Sequence, residues 1–300
     1  MKNKQLLIYS SIILSMLFWS FSFVWVKIVY QVYNPITTVF LRLIISSSLL
    51  FLIGGGLKQL QRIESKDRLR LLALAFFEPF LYFMGESFGL KYVSSTLGAV
   101  IISTIPLFSP IAAYYFHKEK LSKMNIAGIL VSILGVGVII LNKNLSLIVS
   151  PIGLSLLFVA VAAAVGYSIV LKNIARKYNS ITIITYQNSI GILLFLPFFL
   201  GFDLQHFLHA KPTMEVWIAL IELAIFASTL AFVCFTYAMK HLGVTKSNIF
   251  INAIPVFTAI FAYFVLKDTL GWQKIIGILI VIGGLFLSQT NMKKTLKSTQ

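Results

Sequence analysis

Apolar residues run along this chain in blocks of about 20, separated by short polar or charged connections, a pattern that predicts membrane-crossing helices. A block of that length spans a hydrocarbon core about 30 Å thick, and only a helix satisfies its own backbone there in so short a segment. About ten blocks are legible, near 6–26, 35–56, 71–90, 95–116, 124–142, 151–171, 181–201, 214–239, 246–266 and 272–290. The connections leave no room for a separate soluble domain. The longer stretch at 58–70 reads as a charged surface loop without a core of its own. The first block follows Lys2 and Lys4 and continues through WSFSFVWVK without a small-residue cleavage site, so it is expected to be retained rather than removed as a signal peptide.

Most of the pattern at 91–142 returns about 149 residues later, at 240–291. At that offset Lys91 falls on Lys240, Thr96 on Thr245, Pro106 on Pro255, Phe108 on Phe257, Gly128 on Gly277 and Gly135 on Gly284. Weaker echoes at an offset near 145 place Lys27, Tyr33 and Asn34 on Lys172, Tyr178 and Asn179. The chain therefore reads as two repeats, 1–143 and 150–290, followed by a tail at 291–300. Five segments per half is an odd number, so the second copy enters the membrane from the opposite side and the repeat is inverted. Inverted repeats are the usual means by which a transporter presents one site alternately to two sides.

Composition strengthens the membrane assignment: 58% of residues are apolar, 11% are charged, and the formal charge is +16. The basic residues are uneven. The connections on the side of both termini hold about 18 of them, among them Arg62, Lys66, Lys120 and Arg176, against about 6 on the other side: Lys27, Lys91, Lys143, Lys211, Lys267 and Lys274. Both termini are thus expected in the cytoplasm, and the charge reflects topology and anionic lipid rather than a nucleic-acid partner. Cys234 is the single cysteine, and His117, His206, His209 and His241 sit at segment ends or in loops, so neither a disulfide nor a metal site is expected.

Within the segments, Pro106 and Pro255 lie mid-helix and are expected to kink it, freeing the carbonyls of Ile102 and Ile251. Ser103 and Asn252 stand three residues before each proline, where a polar side chain either lines a site or satisfies the kinked backbone. Four charges are placed in segments: Arg42, Glu78, Glu86 and Glu222. Each costs at least about 2.5 kcal/mol at mid-bilayer. An Arg42–Glu86 pair is expected from their depths, with Arg42 structural. Glu78, followed by Pro79, has no evident basic partner and is the candidate for exchanging a proton or attracting a cationic group. The roles of Glu86 and Glu222 stay open. None of the charges is repeated: Gln187 stands at the echo of Arg42 and Ala227 at that of Glu78. The glycines Gly128, Gly135, Gly137, Gly277, Gly283 and Gly284 are expected to allow close helix contact within each half or between protomers.

The run 89–96, Thr104–Ile105–Pro106–Leu107, Glu119–Lys120–Leu121 and the glycines from Gly128 to Gly137 resemble the signature of the EamA family of the drug/metabolite transporter superfamily. The second half repeats it at 239–245, Ile254–Pro255–Val256, Asp268–Thr269–Leu270 and Gly277 to Gly284; Trp19–Ser20–Phe21–Ser22–Phe23, Pro35 and Arg42 also fit, although family members often have Gly where Ser20 stands. The resemblance implies an all-α membrane protein of ten transmembrane helices around a central cavity, with the fifth and tenth at the periphery. It places Trp19, Phe23, Tyr82, Tyr167 and Tyr237 in helices around that cavity.

There is no GxSxG, HExxH, membrane aspartate pair or Walker loop, so neither intramembrane hydrolysis nor ATP-driven pumping has its parts, and no cofactor is expected. A channel would need a continuous polar lining, and the segments offer isolated polar positions. The expectation is a plasma-membrane secondary carrier, monomeric or homodimeric, that exports a small organic metabolite such as an amino acid with proton coupling through Glu78. The alternative is efflux of a cationic or lipophilic compound.

Overall fold

The computed structural model describes residues 2–108, 112, 123–141, 149–243, 247, 248, 250–268 and 271–289. Among them the chain is helical throughout: α1 (Lys2–Val29), α2 (Pro35–Gly56), α3 (Ser65–Tyr92), α4 (Ser95–Phe108), α5 (Lys123–Ile140), α6 (Pro151–Ile174), α7 (Ser180–His209), α8 (Met214–Leu242), α9 (Ile251–Leu266) and α10 (Trp272–Gln289). Six of these, α1, α2, α3, α6, α7 and α8, are long and apolar enough to cross a membrane, while α4, α5, α9 and α10 contain shorter apolar helices. The expected connection at 118–123 falls largely outside the described residues, as does the tail at 291–300.

The packing keeps its form when the halves are exchanged. α2 packs on α7 and α5 on α10, each helix on its own counterpart; α1 packs on α8 and α9, as α6 packs on α3 and α4. This is the arrangement expected of two copies of one unit around a pseudo-two-fold axis. Gly85 sets the closest approach of α3 and α6, since a Cβ there would lie 2.5 Å from the Leu156 carbonyl oxygen and 2.7 Å from the Ala160 nitrogen. Gly135, Gly277 and Gly284 have one role, the seam between α5 and α10, where Ser132 Oγ also donates to the Val281 carbonyl at 3.1 Å. They therefore join the two halves rather than packing within one of them.

Two connections are tied down across the halves. Asn34 precedes α2 without capping it; instead Asp203 of α7 accepts from Thr37 N at 3.0 Å and Thr37 Oγ1 at 2.8 Å, and Asn34 Nδ2 donates to it at 3.3 Å. A carboxylate beside the free N–H groups of a helix start is a favourable cap. At the opposite end, Gln61 Oε1 accepts from Asn179 N at 2.7 Å, Thr182 Oγ1 accepts from Gln61 N at 3.0 Å, and Asn179 Nδ2 donates to the Gln59 carbonyl at 2.6 Å. The stretch at 58–70 is thus a clasp on the start of α7, not a free surface loop.

That clasp includes ion pairs: Lys177 Nζ lies 2.5 Å from Asp67 Oδ2 and 2.6 Å from Glu64 Oε1. Hydrogen bonding to Asp67 and then Glu64 holds the Lys177 ammonium above its ordinary range, and Lys177 followed by Lys66 holds the Glu64 carboxyl below its own. A raised lysine contributes stability that is complete below its ordinary value, about 10.4, and is lost as pH rises through the raised one. A lowered carboxyl contributes above about 4.3 and loses it as pH falls. The thermal midpoint of purified protein should therefore be flat between about pH 5 and pH 10 and decline on both sides. Lys177→Gln should soften both declines modestly, because the pair is partly solvated. A variant profile that superimposes on the native one would count against the assignment.

Candidate functional site

Seven of the described helical elements converge on a buried central cavity of about 50 Å³. That is room for a few waters, since one needs about 10–15 Å³. Trp19 and Phe23 reach it from α1, Arg42 from α2, Glu78, Tyr82, Phe83 and Glu86 from α3, Ile105 from α4, Tyr167 from α6, Phe232 and Phe235 from α8, and Ile254 from α9. Trp19 sits with its ring 5.1 Å from that of Phe232 and 4.9 Å from that of Phe235, so one wall is a continuous aromatic surface.

Glu78 is placed by a local break in α3. Pro79 has no N–H to give to Ala75, and its ring excludes a regular helix there. The chain answers with an extended Glu78, φ −148° and ψ 120°, a cis Glu78–Pro79 peptide bond, and a π-helical stretch over Phe76–Leu81. Breaks of this kind recur at functional sites because they turn a side chain away from the helix pattern. Glu78 is 7% exposed, borders the cavity, and makes no hydrogen bond or ion pair among the described residues.

Arg42 and Glu86 share the cavity but are not directly paired, contrary to the expectation from depth. Arg42 is 3% exposed; its Nε donates to Ser228 Oγ at 2.7 Å and its guanidinium lies 4.4 Å over the Phe83 ring. Its two terminal nitrogens make no hydrogen bond among the described residues. Glu86 instead accepts from Tyr82 Oη at 2.9 Å, one helical turn away. The cavity thus holds two carboxyl groups and one guanidinium around a space of a few waters' size.

The remaining predicted residues divide. Trp19, Phe23, Tyr82 and Tyr167 line the cavity. Tyr237 does not: its ring lies 4.6 Å from that of His241, outside the lining. Ser103 is buried but donates to the Val100 carbonyl at 2.7 Å, so it serves its own backbone. Asn252 is buried with both amide atoms unpaired, between Ile251 and Ile254, which do line the cavity. Each proline follows an interruption of the helix in the turn before it. α4 turns at Ser103 and Thr104 and resumes with Pro106 in its next turn, while a 3-10 turn over Ile251–Ala253 precedes a helix that starts at Ile254 with Pro255 in its first turn. Proline is well tolerated in a first turn, where the N–H it lacks has no partner. Glu222 sits at the start of a π-helical stretch in α8, away from the cavity.

Sequence reasoning missed the polar layer behind Arg42. Ser46 Oγ meets Thr229 Oγ1 at 2.7 Å, Asn188 Nδ2 donates to Ser46 Oγ at 2.9 Å, and both Ser46 and Asn188 donate to the Ser228 carbonyl, which lies in the π-helical stretch of α8. Gln187, the echo of Arg42, is fully buried beside the Tyr167 hydroxyl, and its amide makes no hydrogen bond of ordinary length among the described residues. The available signal was an amide in the middle of an apolar segment, which is costly in a membrane unless it meets a polar partner.

The EamA-like transporter family matches residues 6–141 and again 151–290. An uncharacterized transporter of Bacillus subtilis, YetK, is 29% identical over 249 residues, covering 82% of this chain and 74% of its own. An uncharacterized transporter of Archaeoglobus fulgidus is 27% identical over 277 residues, covering 92% and 94%. A solved crystal structure shares the fold, with a TM-score of 0.69 over 96% of this chain and 98% of its own at 17% identity.

Proposed function

From the premise that the chain belongs to the EamA-like transporter family, we propose that it is a secondary carrier for a small zwitterionic metabolite of the amino-acid type. In this reading all ten helices cross the plasma membrane as two inverted five-helix repeats with both termini cytoplasmic, and the halves rock about the central cavity to export the substrate. The membership and the apolar helices make it a membrane transporter; the substrate, direction and coupling are the proposal.

The observation that carries it is a carboxyl group and a guanidinium that share one cavity without forming an ion pair with each other among the described residues. Glu78 offers a carboxylate to a substrate ammonium, and Arg42 offers two terminal nitrogens to a substrate carboxylate. Arg42 is thereby a binding residue, beyond the structural role its sequence position suggests. In the empty carrier a proton on Glu78 replaces the substrate ammonium, which couples export to proton movement. The aromatic wall of Trp19, Phe232 and Phe235 receives an apolar side chain. At about 50 Å³ the cavity leaves room for a few waters at this site, and alternating access would widen it for the substrate.

A second reading, efflux of a lipophilic cation, is favoured by the count of two carboxyl groups to one guanidinium. The test is a comparison of metabolites in the medium of cells producing the native protein, Arg42→Gln, Glu78→Gln or none. An amino acid that accumulates with the native protein and with neither variant supports the zwitterion. Accumulation of an amine that survives Arg42→Gln but not Glu78→Gln supports the cation. Equal export by native protein and both variants would remove the cavity charges from the mechanism.

A further inference from the structure

The breaks in α3 and α8 stand at matching places in the two halves. At the offset of about 149 residues that relates the halves, the π-helical stretch Phe76–Leu81 of α3 falls on 225–230, inside the π-helical stretch Leu223–Ala231 of α8. Glu78 then meets Ala227, and Pro79 meets Ser228. α7 packs on the first break and α2 on the second, and Gln187 and Arg42 are matching residues of those two helices. The first break carries a carboxyl group that lines the cavity. We propose that the second is the seat of Arg42, with Ser228 the positioning residue that aims the guanidinium at a substrate carboxylate. This rests on the zwitterion reading above and adds the residue on which carboxylate recognition depends.

Ser228 is gripped through its backbone while its side chain grips Arg42. Its Oγ accepts from Arg42 Nε at 2.7 Å, and its carbonyl accepts at 3.1 Å from Ser46 Oγ, one turn further along the same face of α2. Asn188 of α7 donates to that carbonyl at 3.2 Å and to Ser46 Oγ at 2.9 Å, and Thr229 Oγ1, beside Ser46, donates to the Ala224 carbonyl at 2.8 Å within the break. All four of these side chains are buried, so water does not compete for the bonds. The guanidinium has a second restraint, the Phe83 ring 4.4 Å from its centre. Together the two fix a planar group by its edge and by its face. With Nε turned to Ser228, the end carrying the two terminal nitrogens is the edge left for a carboxylate, which such a fork meets with two parallel hydrogen bonds. Glu86 and Glu78 both attract Arg42. The bond to Ser228 opposes collapse onto either of them, which would neutralise the group that reads the substrate.

The test uses the full-length protein in proteoliposomes loaded with the common amino acids one at a time, with efflux followed by mass spectrometry. For an amino acid that the native protein exports, Ser228→Ala should raise KM about tenfold and leave the maximal rate nearly unchanged. Ser228→Thr, which keeps the hydroxyl, should restore a KM near the native one. Ser46→Ala loosens the grip on the Ser228 carbonyl and should raise KM about threefold; it carries the test if the thermal midpoint shows that Ser228→Ala does not fold. In the Arg42→Gln background Ser228→Ala should change nothing further, because the bond it removes is already gone. A lowered maximal rate at native KM, or the same loss from Ser228→Ala with and without Arg42, would overturn the positioning role and leave the zwitterion reading in place. So would a native KM in Ser228→Ala beside a loss of export in Arg42→Gln. Export of no amino acid by the native protein, or native-like export by Arg42→Gln, would instead sink the zwitterion reading and this proposal with it.

Discussion

Replacing Glu78 with Gln is expected to lower transport of an amine-bearing substrate about ten- to hundredfold and to abolish its dependence on pH. The magnitude follows from losing one charge-assisted hydrogen bond, about 1.5–3 kcal/mol in a buried setting. Gln keeps the size and much of the polarity of Glu, and among the described residues no group hydrogen-bonds the Glu78 carboxyl, so the variant strands no hydrogen-bond partner there and should fold as the native protein does. The loss should therefore appear in flux, with the thermal midpoint unchanged or slightly raised. In proteoliposomes with an imposed pH gradient, the native protein should respond to the gradient and the variant should not. Gradient-driven flux that persists in Glu78→Gln would end the coupling role, and a large fall in midpoint would show that the carboxylate is structural.

Gly85→Ala is expected to cause a clear loss of stability from the addition of one methyl group. The new Cβ would meet the Leu156 oxygen at 2.5 Å and the Ala160 nitrogen at 2.7 Å, both backbone atoms of α6 that cannot rotate away. Alanine gains about 1 kcal/mol over glycine as a helix former, but forcing two packed helices apart costs about 1–3 kcal/mol and sometimes more, so the clash wins. Gly55→Ala is the control, because nothing lies within 4 Å of its added Cβ. Its midpoint should be unchanged or slightly higher in the same thermal scan. A Gly85→Ala midpoint at or above the native value would show that α3 and α6 separate freely.

The all-helical, two-copy plan was readable in the sequence, because one apolar pattern recurs with Pro106 and Pro255, and Gly135 and Gly284, in matching places, and the family match falls twice on the chain. The charges in apolar segments likewise pointed to the cavity, where Arg42, Glu78 and Glu86 meet. What stayed hidden depends on partners distant in sequence. The π-helical stretch around Ser228 changes which way side chains face, and the 3.6-residue periodicity carries no sign of it; the extended backbone at Glu78 had only Pro79, directly after it, as its signal. Arg42 took Ser228 rather than Glu86 because α8 brings a hydroxyl against α2, a contact between residues 186 apart. Tyr237 fell outside the cavity for the opposite reason: it is in a cavity helix but on the turn that faces His241.

The caps at Asp203 and Gln61 make each half the custodian of the other's second helix. α2 begins on a carboxylate that belongs to α7, and α7 begins on a side chain carried by the connection after α2. The dependence is unequal: without the second half α2 would start with the Thr37 N–H and hydroxyl unmet, whereas α7 also carries its own cap, the Asn179 carboxamide that accepts from Thr182 N at 2.7 Å. The two caps also differ in kind, a charged one at one end and an amide one at the other. The amide-capped end is held in addition by the Lys177 ion pairs to Asp67 and Glu64, so each end of the molecule closes on charge.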